Sequence, residues 1–143
     1  MTTARDIMNA GVTCVGAHET LSAAAQHMRE HNIGALPVCG DDDRLHGMLT
    51  DRDIVVKGLA TGLDPNNTTA GELARDSVYY VDVDASIQEM LDVMEEHQVR
   101  RLPVIEGHRL VGIITEADIV RHLPEHAIVQ FVKAICSPAA ITG

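Results

Sequence analysis

The sequence predicts a mixed α/β (α+β) fold: two tandem β-α-β-β-α repeats packed as one pseudo-symmetric module. Three observations predict it. The chain matches itself at an offset of 66 residues, each copy carries an amphipathic helical stripe, and each stripe leads into a Leu-Pro-Val strand. At that offset Thr20-Leu21 falls on Ser86-Ile87, Met28 on Met94, His31 on His97, and Leu36-Pro37-Val38 on Leu102-Pro103-Val104. One residue is then dropped, because Asp41-Asp42-Asp43 faces the shorter turn Glu106-Gly107-His108. At an offset of 65, Leu45 meets Leu110, Gly47 meets Gly112, Thr50 meets Thr115, and Asp53-Ile54-Val55 meets Asp118-Ile119-Val120. Self-similarity at a fixed period marks a repeated supersecondary unit. The organisation is repeat one over residues 1–60, a linker over 61–69, repeat two over 70–123, and a C-terminal helix and tail over 124–143.

Each element follows in order. Short apolar runs at 12–15 and 78–83 read as opening strands. The first long helix has Leu21, Ala24, Ala25 and Met28 on one face, and its counterpart has Ile87, Met90, Leu91 and Met94 at the i, i+3, i+4, i+7 spacing of a buried stripe. Ser86 and Glu89 are placed as a capping box. After the Leu-Pro-Val strand and a polar turn, second strands are expected at 45–49 and 110–114, and closing helices at 51–59 and 116–122. The linker holds the turn formers Gly62, Asp64-Pro65 and Asn66-Asn67. Ile128, Phe131, Val132 and Ile135 form a last apolar stripe that must dock on the body or on a second chain. A copy of about 60 residues is marginal alone, so the two are expected to pack together.

Composition excludes several functions. Of 143 residues 45% are hydrophobic, yet there are only one Phe, two Tyr and no Trp, so the core is aliphatic and lacks the faces on which single-stranded nucleic acid stacks. The formal charge is -10 and the basic residues form only one Arg pair, Arg100-Arg101, which argues against nucleic acid and against anionic membranes. No stretch approaches the roughly 18 apolar residues of a spanning helix, and the N-terminus has no apolar signal core, so the default is a cytoplasmic protein. Gly-x-Ser-x-Gly, Walker and His-Glu-x-x-His motifs are all missing from the sequence, and no triad partner is fixed for its Cys and His residues. The chain reads as a non-enzyme.

Two motifs occur in both copies: Met-x-x-His-x-[IV]-x-x-Leu-Pro-Val, and the endings Gly47-Met48-Leu49-Thr50-Asp51-Arg52-Asp53 and Gly112-Ile113-Ile114-Thr115-Glu116-Ala117-Asp118. Over roughly residues 4–123 the chain resembles the cystathionine-β-synthase (CBS) domain family, whose tandem pairs are called Bateman modules. The resemblance implies regulation by an adenosine ligand (AMP, ATP or S-adenosylmethionine) in clefts between the copies, and a flat homodimer acting on an effector protein. It places ribose contacts on Thr50, Asp53, Thr115 and Asp118, and phosphate contacts on Arg52, Arg101 and Arg121. The same Thr-x-x-Asp spacing also suits a helix cap, with Thr at N-cap and Asp at N3, and the two readings are compatible. The first copy has Gly34-Ala35 where the second has Arg100-Arg101, so the second copy is the better site. No effector domain is visible in the chain.

Cys14 aligns with Tyr80 and Cys39 with Ile105, which places both cysteines on the first two strands of copy one, neighbours in such a fold. A disulfide fits that spacing, and a pair of buried thiols in a reducing cytosol is the alternative; a disulfide would point to oxidising exposure or export. Cys136 reads as free. Among eight His residues, His27 and His31 stand at i, i+4, a metal-gripping spacing, while His97 and His122 close helices of the same copy and are the preferred zinc pair. For His31 and His97 the alternative is a favourable interaction with a helix C-terminus. Asp41-Asp42-Asp43 lacks the spacing of a calcium loop. Two functions follow: a stand-alone regulatory pair that senses a nucleotide, or a homodimeric stress or interaction protein without one, stabilised by a disulfide and zinc.

Overall fold

The structure is a computed structural model that describes residues 2–74 and 78–136, with Ile135 described by its backbone. In chain order the elements are α1 (Ala4–Ile7), β1 (Asn9–Ala10), β2 (Val15–Gly16), α2 (Leu21–His31), β3 (Ala35–Cys39), β4 (Leu45–Thr50) and α3 (Asp51–Asp53). A π-helical turn (Ile54–Gly58) and a 3₁₀ turn (Leu59–Thr61) extend α3. Then come α4 (Ala70–Ala74), β5 (Val81–Asp82), α5 (Ile87–His97), β6 (Arg101–Glu106), β7 (Arg109–Thr115), α6 (Glu116–Val120) and α7 (Glu125–Ile135).

Two compact units result, residues 13–78 and residues 1–12 with 79–143. In the first, β2 pairs parallel with β3 and β3 pairs antiparallel with β4. The second repeats this with β5, β6 and β7 and adds β1 antiparallel to β7. Thr20 Oγ1 caps α2 by accepting from the Ala23 N–H, and Ser86 caps α5 by accepting from Glu89. The reciprocal bond expected from the Glu89 side chain is not formed; Ser86 instead bridges to the backbone of Thr3. Leu21, Ala24 and Met28 are buried on α2, whereas Ala25 is exposed. On α5, Met90 and Met94 are fully buried and Ile87 and Leu91 half-buried.

The N-terminal segment belongs to the second copy. Ala4 N–H donates to the Ala85 carbonyl and Arg5 N–H to Val83, while Ala70 N–H donates to Glu19 and Gly71 N–H to Ala17. The first residues of α1 thus dock on copy two just as the first residues of α4 dock on copy one. The repeated glycine explains the fit. A Cβ on Gly47 would stand 2.0 Å from the Ala74 carbonyl oxygen, and one on Gly112 would stand 2.6 Å from Met8 Sδ and 3.0 Å from the Asn9 carbonyl oxygen. At Gly47 only a residue without a side chain lets the segment pass, whereas at Gly112 the nearest obstacle is a flexible side chain. The core of one unit is aliphatic, with Val15, Leu36, Val38 and Leu49, and that of the other is mostly so, with Val81, Leu102, Val104, Ile114 and Ile119 joined by the buried Phe131 of α7.

Candidate functional site

Each copy ends its second strand at a threonine whose extended backbone turns the chain into a helix. At Thr115 the cap is a full capping box: Asp118 N–H donates to Thr115 Oγ1 at 3.3 Å, and Asp118 Oδ2 accepts the Thr115 N–H at 2.8 Å. The carboxylate does not stop there. Oδ2 also accepts from Thr115 Oγ1 at 2.9 Å and from the Asn9 side-chain amide at 2.9 Å, and Oδ1 accepts from Arg121 at 3.2 Å. Asp118 is buried, 7% exposed, with donors on both oxygens. Thr50 and Asp53 form the same box at 3.0 Å in each direction, and Lys57 Nζ stands 3.5 Å from Asp53 Oδ1.

The basic side of the second copy is open. Arg101 opens β6 opposite Thr115 in the antiparallel register, and Arg100 lies 3.7 Å from Glu116. Arg100, Arg101, Thr115, Glu116 and Ala117 line a depression of about 410 Å³. Arg121, expected on phosphate, is turned onto Asp118. In the first copy Ala35 sits opposite Thr50 without a basic side chain, and Arg52 is exposed on α3. The structure therefore brings Arg101 to Thr115 but engages Asp118 and Arg121 with each other. Asn9 was missed by sequence reasoning, although Thr3-Ala4-Arg5-Asp6 and Thr69-Ala70-Gly71-Glu72 repeat at the same offset and mark the segment that carries it.

Cys14 and Cys39 are joined by a disulfide with Cα atoms 5.9 Å apart, Cys39 ending β3 as expected but Cys14 standing just ahead of β2 rather than on it, and Cys136 is left free and exposed. The bond ties the opening strand of copy one to its neighbour. Tyr80 and Ile105 hold the corresponding positions in copy two.

His97 ends α5 with its ring 5.2 Å from that of Tyr79. His122 Nδ1 lies 2.9 Å from the Asp118 carbonyl oxygen. Among the described residues, the group of three potential ligands whose donor atoms lie within 4.8 Å of one another is His27, Glu30 and His31 on α2. The His97–His122 pair is in no such group.

The paired scaffold decides the family, because the CBS-domain model matches residues 4–58 and again residues 70–125. The chain belongs to the CBS-domain family. As a CBS pair it is 86% identical over 143 residues to hypoxic response protein 1 of Mycobacterium tuberculosis, covering all of both chains. It is 35% identical to the CBS domain-containing protein YhcV of Bacillus subtilis, across 83% of this chain and 84% of that one. Among solved structures it superposes with a TM-score of 0.84 and 85% identity on hypoxic response protein I with two coordinated zinc ions, covering 86% of this CBS pair and 100% of that chain. A CBS-domain-containing protein from Agrobacterium tumefaciens superposes with a TM-score of 0.72 at 26% identity, covering 85% and 98% of the two chains. Among the described residues of the CBS pair, no helix is long and apolar enough to cross a membrane.

Proposed function

We propose that this CBS pair is a non-enzymatic, homodimeric stress-response protein whose Thr-x-x-Asp endings serve as helix caps and whose fold is secured by a disulfide and zinc. The observation that carries the reading is the Asp118 carboxylate, buried and already accepting from Thr115, Asn9 and Arg121. A ribose hydroxyl would compete with these donors; a Thr115 donor left buried without a partner costs about 1–3 kcal/mol, whereas the exposed Asn9 and Arg121 would turn to water. Zinc comes from the 85% identical relative that coordinates two such ions. His97 and His122 are assigned to hold it. The bond between His122 Nδ1 and the Asp118 carbonyl is of the outer-shell kind that orients a zinc-ligating imidazole and leaves Nε2 for the metal. Zinc here supplies cross-linking rather than chemistry. Exposed Val129 and Val132 on α7 offer apolar surface to a second copy. The disulfide fits an oxidising setting in place of the reducing cytoplasm that is the sequence default.

A second reading rests on the open rim of Arg100, Arg101 and Thr115, which suits the phosphate of an adenosine ligand. Calorimetry with AMP, ATP and S-adenosylmethionine separates the two. The proposal expects no binding heat, with zinc recovered from the protein and its content lowered in His97→Ala/His122→Ala. Binding heat that Arg101→Ala abolishes would establish the second reading instead.

A further inference from the structure

The first copy carries a histidine pair that the repeat scaffold does not require. In α5 the place equivalent to His27 is held by Val93, half-buried, while His31 and Glu30 correspond to His97 and Glu96. A side chain of valine size therefore satisfies the packing at this position. In α2 the substitution of an imidazole sets His27, Glu30 and His31 at i, i+3 and i+4, with one donor atom from each within 4.8 Å of the others. The two rings are nearly parallel, at 8° with centroids 6.4 Å apart. Glu19, from the turn before α2, brings Oε1 to 3.9 Å from His27 Nε2.

We infer that His27, Glu30 and His31 form a binding site for a divalent transition metal, built on the exposed face of α2 in the first copy. Nitrogen donors around a tetrahedral zinc at roughly 2.0–2.1 Å stand about 3.3 Å apart. Closure from 4.8 Å requires only rotamer changes, and Glu30 and His31 are exposed and His27 half-exposed, so no core packing opposes them. Two imidazoles and one carboxylate are a donor set of the kind that takes zinc and leaves one position for water. Glu19 supplies the acidic neighbour: it offers a further oxygen or holds the His27 ring by its second nitrogen. Because the ligands span one helical turn, the ion clamps the last turns of α2 just ahead of the left-handed cap at Asn32. The site is distinct from the His97 and His122 assignment made above.

The test uses the full chain, stripped of metal and equilibrated with zinc, with bound zinc counted by mass spectrometry and the site followed by the visible absorption of cobalt(II). His27→Val copies the second repeat and preserves packing. It is expected to remove one zinc equivalent per chain, both in the parent and in a His97→Ala/His122→Ala background, and Glu30→Gln to weaken that equivalent at least tenfold. Zinc stoichiometry and cobalt spectra unchanged by His27→Val and by His31→Ala would overturn the site. An ion lost only with His97→Ala/His122→Ala would overturn it too. A zinc count that His97→Ala/His122→Ala leaves unchanged but His27→Val lowers by one equivalent supports this site while refuting the other assignment.

Discussion

Opening the Cys14–Cys39 bridge perturbs one unit through the unfolded state, so its magnitude can be worked from chain length. The cysteines are 25 residues apart. In the chain-entropy model, closing such a loop stabilises the native state by about 3.5 kcal/mol. Their Cα separation of 5.9 Å lies at the common value for disulfides. Unfolding entropy of about 2.1 cal/mol/K per residue gives about 300 cal/mol/K for the 143-residue chain, and hence a fall in melting temperature of about 12 °C if it melts as one transition. If the unit of residues 13–78 melts separately, the same free energy is spread over half the entropy, and a first transition should move by about 25 °C. The assay is scanning calorimetry with and without a phosphine reductant, repeated on Cys14→Ala/Cys39→Ala. Thiol titration must rise from one to three per chain, the one being Cys136. Complete reduction with a midpoint displaced by less than about 2 °C would refute the loop-closure account.

Asp118→Ala should cost about 2–3 kcal/mol in urea unfolding, because it removes the N3 half of the capping box and takes the acceptor from both Thr115 donors and from Asn9, whereas the less engaged Asp53→Ala should cost about 1 kcal/mol. Equal costs would contradict the asymmetry. Gly47→Ala should be the more damaging glycine change, about 3 kcal/mol or loss of folding, since its Cβ meets the rigid Ala74 backbone; Gly112→Ala first meets the movable Met8 thioether and should cost about 1–2 kcal/mol. Thermal melts of both variants check this order. Asp6 is held below its ordinary carboxylate value of 3.8 by the Thr3 backbone N–H and then by the Thr3 side chain. Its contribution is therefore full above pH 3.8 and lost as pH falls through the depressed value. Asp6→Asn should flatten that acid limb and leave stability at pH 7 lower than in the parent, as read from denaturant midpoints across the acid range.

The duplicated scaffold was legible because Gly-h-h-Thr-x-x-Asp and Leu-Pro-Val are dictated by local physics that each copy meets alone. Thr115 and Asp118 were found as a cap for that reason. The opening strands were placed too early, since pairing with β3 and β6 begins only at Val15 and Val81. The closing helix of copy one was expected as one α-helix over 51–59; its hydrogen bonds widen into a π-helical turn after Asp53, which no residue pattern announces. No helix is expected over 70–74, and residues 4–10 are assigned to repeat one without an element of their own, because two- to five-residue elements carry no periodicity. What Asp118 does was illegible for the same cause: its decisive partner, Asn9, is 109 residues away.

The docking of α1 and β1 on the second copy sets an order of completion during synthesis. Residues 13–78 hold the whole of one unit, which can close while the rest of the chain is still being made. The other unit is begun first and finished last, because β1 waits for a partner 104 residues further on. Closing that distance costs about 2 kcal/mol more than forming the β6–β7 hairpin. A circular permutant that starts at Thr13 and carries residues 1–12 behind residue 143 would make both units contiguous. It should fold faster in the second copy while changing no side-chain contact within either unit.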